Sequence, residues 1–403
     1  MTELRLIKIE TDQPKVSYSS LTQHRQCPQA WAYKHVFGLG GLPEFGAKPE
    51  LHFGSWWHAL RAAEAIERGR ALDTLRSCPD RIKTVDDGPE ILVPAESPVG
   101  SLVGKVLEAA DAWWTAMSEE YKETWSKKLN VRDLRKHLEK TEERYAQTYA
   151  TQIAQEQPIA VECGWSRTLP GLEKRLVGYT DEVYYDTRRG MACVRDHKST
   201  SSLYGLSPVN DLMNSQLHLN AWGLAQRLKE WGAPQINAVG YSHTLSVGPS
   251  WPKLTLKGAL SKQVTKFDLA TYREFCQSPE AVEKGYTEDP AVVARLSEES
   301  GQEWFQRTLT PVNRHVIRAH LQSAVDTAQD TIKTLDRVVR RGEAPRNFSK
   351  GCGWCDFSEL CRSQVLGGPE GAYPLEDFGL KTRFDALPAP EQAEIPEDLP
   401  ESV

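Results

Sequence analysis

The chain predicts an α/β fold in which a mixed central sheet is flanked by helices. Three observations carry that prediction. β-rich runs occupy the middle of the sequence, helical apolar spacing dominates on both sides of them, and 403 residues with 39% hydrophobic content are enough for one large domain with insertions or for two domains.

Taken in order, Ser17-Tyr18-Ser19-Ser20-Leu21 offers N-cap residues to a short helix that ends near Cys27-Pro28, because proline disfavours helical geometry in the residue before it. Residues 31–37 form a second helical stretch and 38–49 a loop. An Ala-rich helix over 54–68 is stopped by Gly69 and carries His58 in its first turns. Residues 70–97, with Pro79, Gly88, Pro89 and Pro94, are an irregular excursion. Apolar spacing then gives two long helices, 99–129 and 131–155. Strands follow at 159–169, 175–185 and 191–197, the last two joined by a hairpin-like turn over 186–190. A helix over 216–231 is closed by Gly232, residues 236–247 resume the sheet, and a long helix over 312–341 leads into a group of cysteines. No internal repeat is present. The organisation is a segment 1–69, a helical insertion 70–155, a central core 156–250, a helical region 251–363 and a tail 364–403.

The net charge is -6, from 49 basic and 55 acidic residues, so any nucleic-acid surface must be a local gathering of Lys and Arg. After Arg383 there is no further basic residue, and Asp385, Glu391, Glu394, Glu397, Asp398 and Glu401 are interleaved with prolines, which reads as a disordered acidic tail. No apolar run is long enough to cross a bilayer and residues 1–15 contain no signal-like apolar stretch. The expected compartment is the cytoplasm, whose reducing poise favours metal-bound over oxidised cysteines.

In an extended strand, Asp196 and Lys198 emerge on one face while His197 points away. If the preceding hairpin pairs in register, Asp181 of Gly178-Tyr179-Thr180-Asp181 approaches from the neighbouring strand. Two carboxylates so placed repel unless a cation lies between them, and Mg²⁺ or Mn²⁺ with hard oxygen ligands would relieve that repulsion and activate water. Most Asp-x-Lys tripeptides are simple surface ion pairs, and what distinguishes this one is its place at the end of a β-rich run, one strand after Gly-x-x-Asp. Glu162, one strand earlier still, reads as a solvated glutamate, with ligation as its other role. Cys352, Cys355 and Cys361, with the distant Cys27, suit a metal or cluster site, and their spacing does not separate zinc from iron-sulfur. Cys78, Cys163, Cys193 and Cys276 are scattered and receive no role.

These residues, in this order, resemble the PD-(D/E)XK nuclease superfamily, specifically its RecB-like branch with an iron-sulfur cluster, which includes CRISPR-associated and phage-encoded exonucleases. The resemblance is carried by Ser17 to Leu21 with Cys27-Pro28, Gly54 with His58, Gly178 to Asp181, Asp196 to Lys198, Gln216 and the three C-terminal cysteines. It implies a restriction-endonuclease-like sheet, and metal ligation by His58, Asp181, Asp196 and the His197 main-chain carbonyl. Lys198 is then the catalytic lysine, with Gln216 beside it, and a 4Fe-4S cluster on Cys27, Cys352, Cys355 and Cys361 joins the two ends of the chain. An imidazole ligand shifts preference from Mg²⁺ toward Mn²⁺. The family often has Tyr four residues after the Gln, whereas Asn220 stands here, and His218 and Trp222 lie near without matching.

The function so implied is metal-dependent DNA exonuclease action on single strands or ends, in recombination, repair or phage DNA metabolism, with a helicase or recombination protein as a partner. Two alternatives are of another class: a DNA-binding or assembly subunit that keeps the fold and cluster but docks a helicase or integrase, and a zinc-bound interaction protein. Arg340, Arg341, Arg346, Lys350, Trp354, Trp56 and Trp57 are candidate DNA contacts, each equally readable as solvated helix ends or core tryptophans. No helicase P-loop is present.

Overall fold

A computed structural model of the protein describes residues 15–41, 49–85, 88–94, 101–204, 206, 214–249, 252–255, 259–261, 267–298, 304–366 and 380–382. The strands are β1 Lys15–Ser17, β2 Leu39–Gly41, β3 Arg81–Ile82, β4 Ile91–Leu92, β5 Glu156–Thr168, β6 Arg175–Asp186, β7 Met191–Thr200, β8 Ile236–Leu245, β9 Phe305–Arg307, β10 Thr310–Pro311 and β11 Leu380–Thr382. The chain divides into two compact units, one of residues 48–165 and 178–320, the other of 1–47, 166–177 and 321–403.

The larger unit holds the mixed sheet expected from the sequence. β6 and β7 form an antiparallel hairpin with Glu182 opposite Arg195 and Asp186 opposite Met191, and Gly190 takes the positive φ of +64° that the turn requires. β7 then pairs in parallel with β8, placing Tyr241 beside Asp196 and His243 beside Lys198, and helix Ser215–Glu230 makes the crossover. β9 and β10 add antiparallel to β8, and β5 pairs with β6. Helix Pro49–Ala71 buries Phe53, Trp56, Trp57, Leu60, Ala63 and Ile66, the three-to-four-residue stripe of a core-facing helix. They pack with Trp113, Trp114, Trp125, Leu134 and Leu138 of the insertion helices and with Val161, Leu245 and Phe305 of the sheet. Trp56 and Trp57 are fully buried, which removes them as DNA contacts.

The two long insertion helices are four shorter ones. Ser118 caps a new helix by accepting from the Tyr121 amide, so residues 99–129 divide into Ser101–Ala116 and Glu119–Leu129, the latter ended by Asn130 in the left-handed region. Asp133 starts Leu134–Thr148 by accepting from Lys136 N, and Ala150–Ile153 is separate. Trp165 lies against Gly178 and Gly223, where an added Cβ would come within 2.4 and 2.1 Å of the indole. Its Nε1 donates to Asn220 Oδ1 at 3.0 Å, so the residue that departs from the family's tyrosine is buried and anchors this indole.

In the smaller unit, helices Tyr18–Gln26 and Pro28–His35 meet the C-terminal part of the chain. Gln29 N donates to Pro345 O at 3.0 Å, Ala344 N to Gln29 Oε1 at 2.7 Å, and Asn347 Nδ2 to Gln26 O at 3.1 Å. β1 pairs in parallel with residues 175–177. β11 pairs with β2, so three residues of the segment read as a disordered tail are in a strand, while 367–379 and 383–403 lie outside the described residues.

Candidate active site

The site lies where β5, β6 and β7 leave regular pairing. A Cβ on Gly164 would sit 3.0 Å from the Tyr179 ring, and one on Gly178 meets Trp165, so 164 faces 179 and 165 faces 178 across the antiparallel β5/β6 pair. His58, on the helix Pro49–Ala71, completes a group: His58, Glu162 and Asp181 offer ligand atoms all within 4.8 Å of one another, the one such trio among the described residues. His58 Nδ1 is 3.4 Å from Asp181 Oδ2. Glu162 adopts φ +48°, a left-handed conformation that costs a non-glycine residue about 1–3 kcal/mol.

Asp181 also accepts from the His197 main-chain N–H at 2.6 Å, a contact that ties it to β7 in place of a ladder bond. Asp196 is buried. Its Oδ1 accepts from Gln216 Nε2 at 3.2 Å and its Oδ2 lies 2.5 Å from Lys198 Nζ. Asp196, Lys198 and Gln216 thus form a cluster next to the trio, tied to it by the Asp181–His197 contact. Asp196, expected as a ligand, is outside the trio and Glu162 is inside it. The His197 ring is directed elsewhere, buried with Nε2 3.7 Å from the Glu182 carboxylate. Burial pulls the His197 imidazole down to about 4, which keeps it neutral.

Burial, reinforced by the charge of Asp181, pushes Asp196 up to about 7 against the pull of Lys198. Burial and the charges of Asp181 and Asp196 raise Glu162 as well. For Lys198, burial acts to lower the ammonium but Asp196 and Asp181 outweigh it and raise it. Carboxylates crowded in this way, with an imidazole among them, are a donor set that fits a divalent cation. A consequence can be measured. The native protein holds the Asp196 proton between about pH 4 and 7 where the unfolded chain has lost it, so this group lowers stability as pH rises through that window. In EDTA, the Tm of Asp196→Asn should gain on wild type from pH 4 to pH 7, and Mn²⁺ should narrow the gap by stabilising wild type alone. A Tm difference that stays constant across the window would contradict the assignment.

Beneath the site runs a lattice that sequence reading missed. Arg195 is buried between Glu156 and Glu182, donating to Glu156 Oε2 at 2.9 Å and Glu182 Oε2 at 3.0 Å. Arg68 bridges Glu182 and Glu64, Arg61 bridges Glu64 and Glu142, and Arg307 joins Glu156. Burial opposes the charge of Glu182, yet Arg195, His197 and Arg68 hold it well below the usual carboxylate range. Tyr241 and His243 of β8 were missed too: Lys198 Nζ stands 5.9 Å from the Tyr241 ring centre, and the Tyr241 and His243 rings are 5.2 Å apart. Burial and the nearby Lys198 pull His243 down to about 4. His218 is fully buried and stacks on His320 at 5.5 Å, which places it away from any surface a strand could reach.

The four cysteines carry free thiols and lie in the smaller unit. Cys27, Cys355 and Cys361 pack against one apolar cluster with Trp31, Tyr33, Phe37, Phe357 and Leu360. Burial, with Cys27 and Cys361 nearby, raises the Cys355 thiol. Cys352 is exposed on the short 3-10 turn Lys350–Trp354, its sulfur accepting from Ser349 N at 3.4 Å. Nearby, Arg346 is engaged with Glu343 and Gln364, and Arg340 with Asp336.

No curated protein matches the sequence. Among solved structures, SSO0001 is 12% identical, with 50% of this chain and 85% of that chain covered and a TM-score of 0.18. A phage related exonuclease from Haemophilus somnus 129PT is 11% identical, with 57% and 88% covered and a TM-score of 0.22. Residues 15–362 match the family model described as the PD-(D/E)XK nuclease superfamily, and with that match spanning most of its length the chain belongs to this superfamily of metal-dependent nucleases.

Proposed function

We propose that this nuclease is a DNA exonuclease of the RecB-like, iron-sulfur branch, acting on single strands or DNA ends in recombination, repair or phage DNA metabolism. The observation that carries the reading is the trio His58, Glu162 and Asp181 with the Asp196–Lys198 pair next to it, in a chain of the PD-(D/E)XK superfamily whose motif order resembles that of the branch.

His58, Asp181 and Asp196, with Glu162 and the His197 carbonyl, are the groups that would hold Mg²⁺ or Mn²⁺. When bound, the ion supplies Lewis-acid polarisation of the phosphate and a more acidic water. Lys198 places a positive charge where phosphoryl charge develops, and Gln216 fixes the Asp196 carboxylate by its hydrogen bond. Cys27, Cys352, Cys355 and Cys361 would hold the 4Fe-4S cluster. The cluster reading rests on the resemblance: the four cysteines share one unit and three of them pack on one core, but no three of their sulfurs come within 4.8 Å of one another. A cluster there would add its binding free energy to the stability of the unit.

The test is anaerobic purification followed by digestion of end-labelled linear single and double strands, and of circular single strands, with Mg²⁺ and Mn²⁺. Linear strands shortened from an end, circular strands left intact, and a brown preparation with broad visible absorbance are expected. Efficient cutting of circles would overturn the exonuclease reading, and a colourless protein containing zinc would overturn the cluster. End binding without cleavage under any metal would favour the assembly subunit.

A further inference from the structure

The Tyr179 side chain is 70% exposed although it stands in the middle of a central strand. Its strand neighbour Thr180 is fully buried and Asp181 follows, so Tyr179 and Asp181 emerge on the same side, about 7 Å apart along the strand. Across the pair, Gly164 of β5 lies against the Tyr179 ring, and the Glu162 carboxylate comes within 4.8 Å of the ligand atom of Asp181. The ring therefore lies over a residue with no side chain, directly beside the His58, Glu162 and Asp181 trio. Any larger residue at 164 would displace the ring, since even a Cβ comes within 3.0 Å of Cε1. The result is an aromatic seated on backbone and open to solvent, one residue pair from the atoms that would hold the metal.

On the reading of this site as a nuclease centre, we propose that Tyr179 is the stacking platform for a nucleobase next to the scissile phosphate. The recognised feature is then an unpaired base, because a base still in a duplex stack has no free face to offer the ring. Stacking of this kind tolerates every base and is worth a factor of about 5 to 150 in binding. It makes the site selective for strand state and indifferent to sequence. A purely structural role, an aromatic shielding a strand glycine, predicts a different outcome.

The experiment uses the full chain with Tyr179→Ala, Tyr179→Leu and Tyr179→Trp, and oligodeoxynucleotides in which one abasic residue is walked past the cleavage point. Wild type should show a KM raised about 10-fold when the abasic residue reaches one position beside the scissile bond. Tyr179→Ala and Tyr179→Leu should show that higher KM on the intact strand, little change in kcat, and no further penalty from the abasic residue. Tyr179→Trp should restore the wild-type pattern. Leucine still covers Gly164 but has no π face, so it separates stacking from folding if the alanine variant unfolds. An abasic penalty undiminished in Tyr179→Leu would overturn the proposal. The same chains are titrated in Ca²⁺ with 2-aminopurine at that position. Quenching that depends on Tyr179 in a protein that cuts nothing would reject the nuclease reading and keep the platform, and quenching equal in all four chains would reject the platform.

Discussion

Replacing Lys198 by alanine is expected to lower kcat for phosphodiester hydrolysis by about 100- to 1000-fold, the loss that follows removal of one preorganised group facing transition-state charge. Lys198 is the cation of this site: it stands 2.5 Å from Asp196 and near the face of Tyr241, and the carboxylates around it keep it protonated. The variant should behave unlike one that has merely lost its metal. Removing an ammonium next to Asp196 takes away a charge that competes with a divalent cation, so Mn²⁺ affinity measured by calorimetry should hold or increase while turnover collapses. Asp196→Ala should lose both. A Lys198→Ala enzyme retaining more than about a tenth of wild-type kcat would remove the lysine from the chemistry.

The second large effect concerns stability. Arg195→Ala is expected to destabilise the protein by about 3–5 kcal/mol in urea unfolding at neutral pH, because it takes from the buried Glu156 and Glu182 the guanidinium they share and leaves Arg307 and Arg68 as their remaining cations. Lost Coulomb attraction is the smaller part of that figure, and most of it is the cost of leaving two buried carboxylates with fewer partners than their desolvation requires. Neutralising both acids in the same chain, Arg195→Met with Glu156→Gln and Glu182→Gln, should therefore recover much of the stability. If the triple variant is as unstable as Arg195→Ala, the loss comes from packing of the guanidinium against Tyr184, where it sits 4.1 Å from the ring centre.

This lattice also shows where the sequence was legible and where it was not. The middle strands, the hairpin over 186–190 and the helix over 216–231 were readable, because turn residues and apolar spacing act locally. Asp181, Asp196 and Lys198 were readable as neighbours because side chains alternate along strands. Glu162 read first as a solvated glutamate and only second as a ligand, because nothing in the identity of a glutamate announces the left-handed φ it adopts or the histidine it meets. Glu156, Glu182, Arg195, Arg61 and Arg68 were invisible for a related reason, since charged residues are counted as facing solvent until a partner is seen. The single helix expected over 99–129 failed at Ser118, whose hydroxyl starts a new helix in a stretch where apolar spacing continued unbroken. Asn220 looked like a defect in a motif and is instead the partner that Trp165 requires.

The smaller unit, assembled from both ends of the chain, sets a delay on its own completion. Gln29 and Ala344, joined by a hydrogen bond, are separated by 315 positions. At the roughly 5–20 residues per second of protein synthesis, the first helices wait about 16–60 s on the ribosome before the residues that cover them exist. Throughout that interval Trp31, Tyr33 and Phe37 lack the cover that Val338, Ala344, Phe357 and Leu360 give them in the folded unit, and the Cys27 thiol lacks the same packing.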